Sequence, residues 1–192
     1  QYSVAGALEG VYASVIDSES GAVFQAATLI DATAINPRCV PLGPNPSLCY
    51  VDTSSSPYHL KCVQVDTNNP VAFKAASTIS SVVNTTNPVY DVTVYSDHAT
   101  SGNAVFCYNN SGSTRIDVGY ITVDGDVGTP GNGYTGTTTI TSTNASDTIA
   151  ICADKVNSAS GEQDRIYVGY ATTTASAGLK IKRLTGTMVV EA

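Results

Sequence analysis

Apolar and polar positions alternate with a period of two through most of this chain. Val89-Tyr90-Asp91-Val92-Thr93-Val94 alternates cleanly, as do Ile116/Val118/Tyr120 and Leu179-Lys180-Ile181-Lys182. Such a period puts residues i and i+2 on one face of an extended strand. Thr148 to Cys152 places Ile149 and Ile151 together, and a last strand, Thr187 to Glu191, does the same for Met188 and Val190. Turn signals separate these runs: Asn68-Asn69-Pro70, Asn109-Asn110-Ser111-Gly112, Asp124-Gly125-Asp126 and Pro130-Gly131-Asn132-Gly133. Short strands with recurrent turns predict an all-β sandwich or barrel. No long window carries a helical apolar stripe, so at most a turn or two of helix is expected.

The pattern repeats itself once. Arg115-Ile116-Asp117-Val118-Gly119-Tyr120 returns as Arg165-Ile166-Tyr167-Val168-Gly169-Tyr170, and each follows an apolar strand that carries a cysteine, at 104–110 and 148–155. Two similar hairpins in opposite parts of a sandwich are expected. Tyr120 and Tyr170 should be equivalent core or cross-strand residues. Two copies are too few for a solenoid.

The N-terminus has a different character. In Gln1 to Leu8, Tyr2, Val4 and Leu8 share one face of a strand, and Gly6 and Gly10 punctuate it. There follow V-Y-A-S-V-I-D-S-E-S, a turn, and F-Q-A-A-T-L-I-D. This tract resembles the start of mature TasA/camelysin-type proteins, in which an aromatic-rich strand ends in S-D-x-E and is followed by F-x-A-G-T-L-D-L. Tyr12, Ala13 and Ser14 match the first strand, and Asp17, Ser18 and Glu19 match the acidic turn. Phe24, Ala26, Ala27, Thr28, Leu29 and Asp31 match the second strand. Ala27 stands where the family has glycine, and Val15-Ile16 replaces an aromatic-rich pair. The resemblance covers about a sixth of the chain.

That resemblance implies a jelly-roll-like antiparallel β-sandwich at the cell surface, with an N-terminal donor strand, as in archaeal bundling pili. Residues 1–10 would then be donor strand and hinge, and 11–192 a single sandwich domain. Tyr2, Val4 and Leu8 would anchor the donor strand in a neighbouring subunit, with Gly10 as the hinge. The function it implies is a structural subunit of an extracellular pilus-like filament with a role in adhesion or biofilm matrix. Its partners would be copies of itself, with lateral bundling of filaments. The alternative reading is a secreted monomeric adhesin or glycan-binding module, although Trp, the favoured sugar platform, is absent among 11 Tyr and 3 Phe.

Composition narrows the choice. Only 13% of residues are charged and the net charge is -7. A phosphate backbone needs clustered Lys and Arg, so nucleic acid is not an expected partner. No run of about eighteen apolar residues offers a membrane span. A first residue of Gln, without a basic and apolar leader, reads as a mature product after signal cleavage. An exported protein also suits the five cysteines, since oxidising compartments preserve disulfides. Cys39 and Cys49 flank prolines in a segment, 36–57, that reads as a Pro- and Cys-rich insertion loop. They are the first candidates for a bridge; Cys62 is an alternative partner for Cys49, and Cys107 with Cys152 forms a second candidate pair. Asn84, Asn109 and Asn144 begin N-x-S/T triplets and are candidate glycosylation sites.

Catalytic patterns are missing. The chain has no H-E-x-x-H, no G-x-S-x-G and no P-loop, motifs whose spacing carries metal, nucleophile and phosphate chemistry. His98 in Tyr95-Ser96-Asp97-His98 has Ser and Asp beside it, but a triad is built by geometry and not by chain neighbours. His59 opens a strand and carries less signal still. Asp124 and Asp126, like Asp17 and Glu19, fit hairpin ends better than a calcium site, which needs six to eight oxygens. Camelysins are classed as metalloproteases, yet the two histidines here have no zinc spacing. The expectation is a protein that is not an enzyme, with no catalytic residue, metal or cofactor.

Overall fold

The fold is all-β. A computed structural model describes residues 10–42, 45–66, 72–95, 103–112, 115–123, 130–131, 138–141, 148–154, 165–172, 178–185 and 190, and no helix occurs among them. These residues form four antiparallel sheets. A two-stranded ribbon pairs β1 (Val11–Ile16) with β2 (Val23–Asp31). The second sheet runs β3 (Ala34–Leu42), β4 (Asn45–Asp52), β5 (Tyr58–Asp66) and β6 (Ala72–Phe73), with β7 (Ser77–Val83) also on β5. In the third, β8 (Tyr90–Tyr95), β9 (Asn103–Asn109) and β10 (Arg115–Val123) continue to β11 (Pro130–Gly131), while β12 (Thr138–Thr141) also pairs β10. The fourth is β13 (Ile149–Asp154), β14 (Arg165–Thr172) and β15 (Gly178–Thr185).

Three apolar clusters stack these sheets in sequence. Val11, Ala34, Leu48, Tyr50 and Val63 join the ribbon to the outer face of the second sheet. Cys49, Val51, Leu60 and Cys62 on its inner face meet Ala104, Phe106 and Tyr108 of β9. The other face of β9, with Val105 and Cys107, meets Ile149, Ile151, Ile166, Val168 and Tyr170 of the fourth sheet. So β9 is covered on both sides, which explains why its sequence reads Ala104-Val105-Phe106-Cys107-Tyr108 without alternation. Strand β14 is covered on one side only: Ile166, Val168 and Tyr170 are buried, and the intervening Tyr167, Gly169 and Ala171 are not. The duplicated hairpins face one another through this cluster, with Tyr170 in it and Tyr120 packed against it.

The segment expected as an insertion loop, 36–57, is instead built into the second sheet as most of β3 and all of β4. Pro37 and Pro41 are tolerated because β3 is an edge strand, and Pro46, opposite Pro41, sits at the start of β4 before its register with β5 begins at Ser47. Reading the proline run as a loop missed this edge position.

Candidate functional site

Among the described residues, strands β3, β8 and β13 are each the edge of their sheet, and they border one cleft of about 350 Å³. Asn36, Pro37 and Arg38 line it from β3, Tyr90 with the preceding Val89 from the start of β8, and Ile149 with the preceding Thr148 from the start of β13. A β-bulge shapes the β3 wall. Ile35 is registered with Val51 and Arg38 with Cys49, so Asn36 and Pro37 together span one residue of β4. Asn36 takes a positive φ of 54°, a left-handed conformation that Asn tolerates better than most residues.

Side chains, rather than a backbone ladder, tie the three edges together. The Tyr90 hydroxyl lies 2.7 Å from the carbonyl oxygens of both Asn36 and Cys49. Burial pushes that phenol's pKa up, so it remains a neutral hydrogen-bond donor. The Asn36 side-chain amide donates to the Pro88 carbonyl at 3.3 Å, and the Ile151 amide donates to Asp91 Oδ2 at 2.9 Å. Three neighbouring sheet edges, pinned but not laddered to each other, thus border a cleft whose lining is mixed, with Asn36, Arg38 and Thr148 beside Pro37, Val89 and Ile149.

A second constellation fastens the ribbon to the body. Asp52 is 2% exposed, and its Oδ2 lies 2.6 Å from Lys61 Nζ. The Thr33 hydroxyl reaches Oδ1 of both Asp31 and Asp52 at 2.7 Å, and Lys61 Nζ is also 3.9 Å from Asp31. Burial alone would raise the Asp52 carboxyl, but Lys61, Thr33 and the Ser54 amide hold it below the usual carboxylate range. Gly10 belongs to this junction. Its φ is +85°, and a Cβ there would lie 2.4 Å from the Asp31 carbonyl oxygen. The position expected as a hinge is therefore a close backbone contact that only glycine satisfies.

The cysteines sort by face. Cys49 and Cys62 are directly opposite in the β4–β5 register, both fully buried, with sulfurs 3.2 Å apart. The contact with Cys62, together with burial, pushes the Cys49 thiol up. Cys39 is exposed and lies opposite Leu48, on the face of the sheet turned away from Cys49. The alternative partner, Cys62, and not Cys39, is the one brought to Cys49. The pair Cys107 and Cys152 is likewise not brought together. Cys107 is registered with Val118 but Cys152 with Tyr167, a one-residue offset that turns one thiol inward and the other outward.

Of the candidate glycosylation sites, Asn109 is 1% exposed and its amide donates to the Asn87 carbonyl at 3.2 Å, so the folded chain does not present it. The Asn84 amide donates to the Asn110 carbonyl at 3.4 Å, while its Oδ1 caps a turn by accepting from the Thr86 and Asn87 amides. Asn144 lies outside the described residues, as do Tyr2, Val4, Leu8, His98, Asp124 and Asp126. Among the described residues, no three His, Cys, Asp or Glu side chains converge to hold a metal ion. Likewise, no helix is long and apolar enough to cross a membrane. Asp17 is spent locally, its Oδ1 accepting from the Glu19 and Ser20 amides and the Ser20 hydroxyl. The three-edged cleft had one legible sign in the sequence, the Asn-Pro step at 36–37. Its other walls depend on long-range packing.

No family model, curated protein or solved structure matches this chain.

Proposed function

We propose that this chain is the structural subunit of an extracellular pilus-like filament, in which the N-terminal strand of one copy completes the fold of the next. The observation that carries this reading is the cleft bordered by the edge strands β3, β8 and β13. One extended segment laid there would satisfy edge backbone groups and supply the closure of a jelly-roll-like sandwich. Residues 1–9 have the right chemistry, with Tyr2, Val4 and Leu8 on one face. Burying three such side chains contributes roughly 1.5–3 kcal/mol each, and each ladder hydrogen bond roughly 0.5–1.5 kcal/mol net. Association and strand ordering offset part of that gain. A head-to-tail contact of this type does not close on itself, so it propagates.

Electron microscopy of the purified full chain beside Val4→Asp/Leu8→Asp tests the reading. Filaments are expected from the first and folded monomers from the second. Filaments of normal length from the double variant would sink the donor-strand mechanism. Monomers from both would sink the filament itself and leave a secreted adhesin or glycan-binding module.

A further inference from the structure

Two of the five cysteines are brought face to face in the interior. Cys49 on β4 and Cys62 on β5 are directly opposite in an antiparallel register, 13 residues apart in the chain and with sulfurs 3.2 Å from one another. Both are fully buried, on the face of the second sheet that meets β9. Directly opposed residues of antiparallel strands have Cα atoms about 4.5–5.5 Å apart, within the span of about 4.4–6.8 Å that disulfides bridge. Closing the sulfur contact to a bond of about 2.05 Å asks for a movement of roughly 1 Å, shared between two side chains. No other cysteine competes for either sulfur. Cys39 and Cys152 are exposed, and Cys107 lies in the cluster between the third and fourth sheets.

The place of the pair gives it a role beyond filling space. Strands β4 and β5 are the middle of the second sheet, with β3 on one side and β6 and β7 on the other. The carbonyl oxygens of Cys49 and Asn36 both lie 2.7 Å from the Tyr90 hydroxyl, so the Cys49 backbone is a point at which this sheet is pinned to β8. A covalent bond between Cys49 and Cys62 would fix the register of the two central strands and steady the cleft wall behind Tyr90 at the same time.

We infer that Cys49 and Cys62 are a disulfide site, closed by exchange with a small-molecule disulfide of the glutathione class while the chain folds and sealed against exchange once the third sheet covers it. One protein thiolate attacks a sulfur of the small disulfide and expels its first half as a thiol. The second protein thiolate attacks the mixed disulfide at the protein sulfur and expels the other half. The protein pair loses two electrons and two protons, and the small disulfide takes up both as it becomes two thiols. In the folded chain the contact with Cys62, together with burial, pushes the Cys49 thiol up, and the thiolate is the species that exchanges. The bond therefore records the redox conditions in which the chain folded, not those it meets afterwards. This inference stands on the core alone and is independent of the filament reading.

Order of addition tests it in the full chain. In one sample the reduced chain is folded first and oxidised glutathione is added afterwards. In the other the reduced chain is unfolded in guanidinium and refolded with oxidised glutathione present. Both are then unfolded with a maleimide, which caps free thiols, and digested with trypsin without reduction. Cleavage after Arg38, Lys61 and Lys74 leaves Cys39 and Cys49 on one peptide and Cys62 on the next. The refolded sample is expected to give these two peptides joined, lighter by two hydrogens than their sum, with Cys39 capped. The sample oxidised after folding is expected to close the bond at least about tenfold more slowly, because the core must open first. Capped Cys49 and Cys62 in the refolded sample, or a bond through Cys39, Cys107 or Cys152 in its place, would overturn the site. Equal rates in the two samples would overturn its sealing. A chain that regains its β-sheet circular dichroism without the oxidant but not with it would overturn the site too, since the bond would then be incompatible with the fold.

Discussion

The hairpins β9–β10 and β13–β14 grow from nearly the same sequence and end at different depths. In the first, Gly119 is registered with Phe106, and in the second Gly169 is registered with Ala150. The Phe106 ring lies over Gly119, so close that a Cβ there would be 2.7 Å from Cζ, whereas the space over Gly169 is empty. Position 117 is a buried Asp bound by Tyr108 and Asn110, and its counterpart Tyr167 faces outward. One hairpin is the middle of a stack and the other its end. A conserved alternation inside the duplicated motif sets the shared face, and the residues between decide whether a further layer can be added.

The largest expected difference comes from the aromatic layer. Phe106→Ala should cost about 3–5 kcal/mol, the range for emptying a packed aromatic site. Gly119→Val should cost about 1–3 kcal/mol because the ring must move. Gly169→Val meets no atom, and β-branching favours strands, so its effect should lie between neutral and about 1 kcal/mol stabilising. Urea unfolding of the three variants measures this directly. Equal losses from the two valine substitutions would show that the fourth sheet is covered on its outer face.

Removing a cover sharpens the same contrast. The second sheet resembles β9–β10 in being covered on both faces, but its outer cover is the ribbon, held through Asp31, Asp52, Thr33 and Lys61. Lys61→Met should cost about 2–3 kcal/mol, somewhat below the ~3–5 kcal/mol of a fully buried pair because Lys61 is partly exposed. The pH dependence follows from Asp52, whose pKa in the folded chain lies below the ordinary 3.8. The unfolded chain then binds the proton more readily, so this stabilisation is fully present above about pH 4 and is lost progressively as the pH falls below it toward the lower pKa of the folded chain. Melting temperature between pH 2 and 6 should fall less steeply in Lys61→Met than in the wild type. Parallel curves would mean that Asp52 does not gain its low pKa from Lys61.

Asp117 and Tyr167 give a smaller effect. Asp117→Ala strands the Asn110 amide and removes one partner each from the Tyr108 hydroxyl and from Arg115, whose Nε lies 3.2 Å from Asp117 Oδ1, and should cost about 1–3 kcal/mol. Tyr167→Ala removes only a half-buried ring from the outer face and should stay within about 1 kcal/mol. Denaturation midpoints in the reverse order would contradict the depth assigned to each hairpin.

Fold class was legible because period two is local: Ile166, Val168 and Tyr170 declare a buried face without any knowledge of what lies against it. The repeat of Arg-Ile-x-Val-Gly-Tyr also announced facing hairpins. Layer number was not legible. Burial of Phe106, Asn109 and Cys107 depends on two sheets arriving from distant parts of the chain, so Asn109 read as a surface sequon. Prolines 37 and 41 read as a loop because sequence does not reveal which strand is an edge. Beyond the Asn-Pro step at 36–37 the cleft was not legible, since Asn36, Tyr90 and Ile149 meet only after three sheets have stacked.

The cysteines give the smallest energetic effect and the most direct count of depth. Cys39 and Cys152 are exposed, Cys107 is sealed between the third and fourth sheets, and Cys49 faces Cys62 inside the second core. Burial pushes the Cys107 thiol up, and the thiolate is the reactive form, so access and ionisation both protect it. In an oxidising compartment Cys49 and Cys62 are expected to lose two protons and two electrons to a disulfide oxidant during folding, before the core closes over them. Native protein should then present two thiols to an aromatic disulfide reagent, unfolded protein three, and unfolded protein after reduction five. Replacing Cys152 by Ser should remove one native thiol and change stability by less than about 0.5 kcal/mol. Rapid native labelling of Cys107 would place an opening between the third and fourth sheets, and the buried hairpin would then be as accessible as its exposed relative.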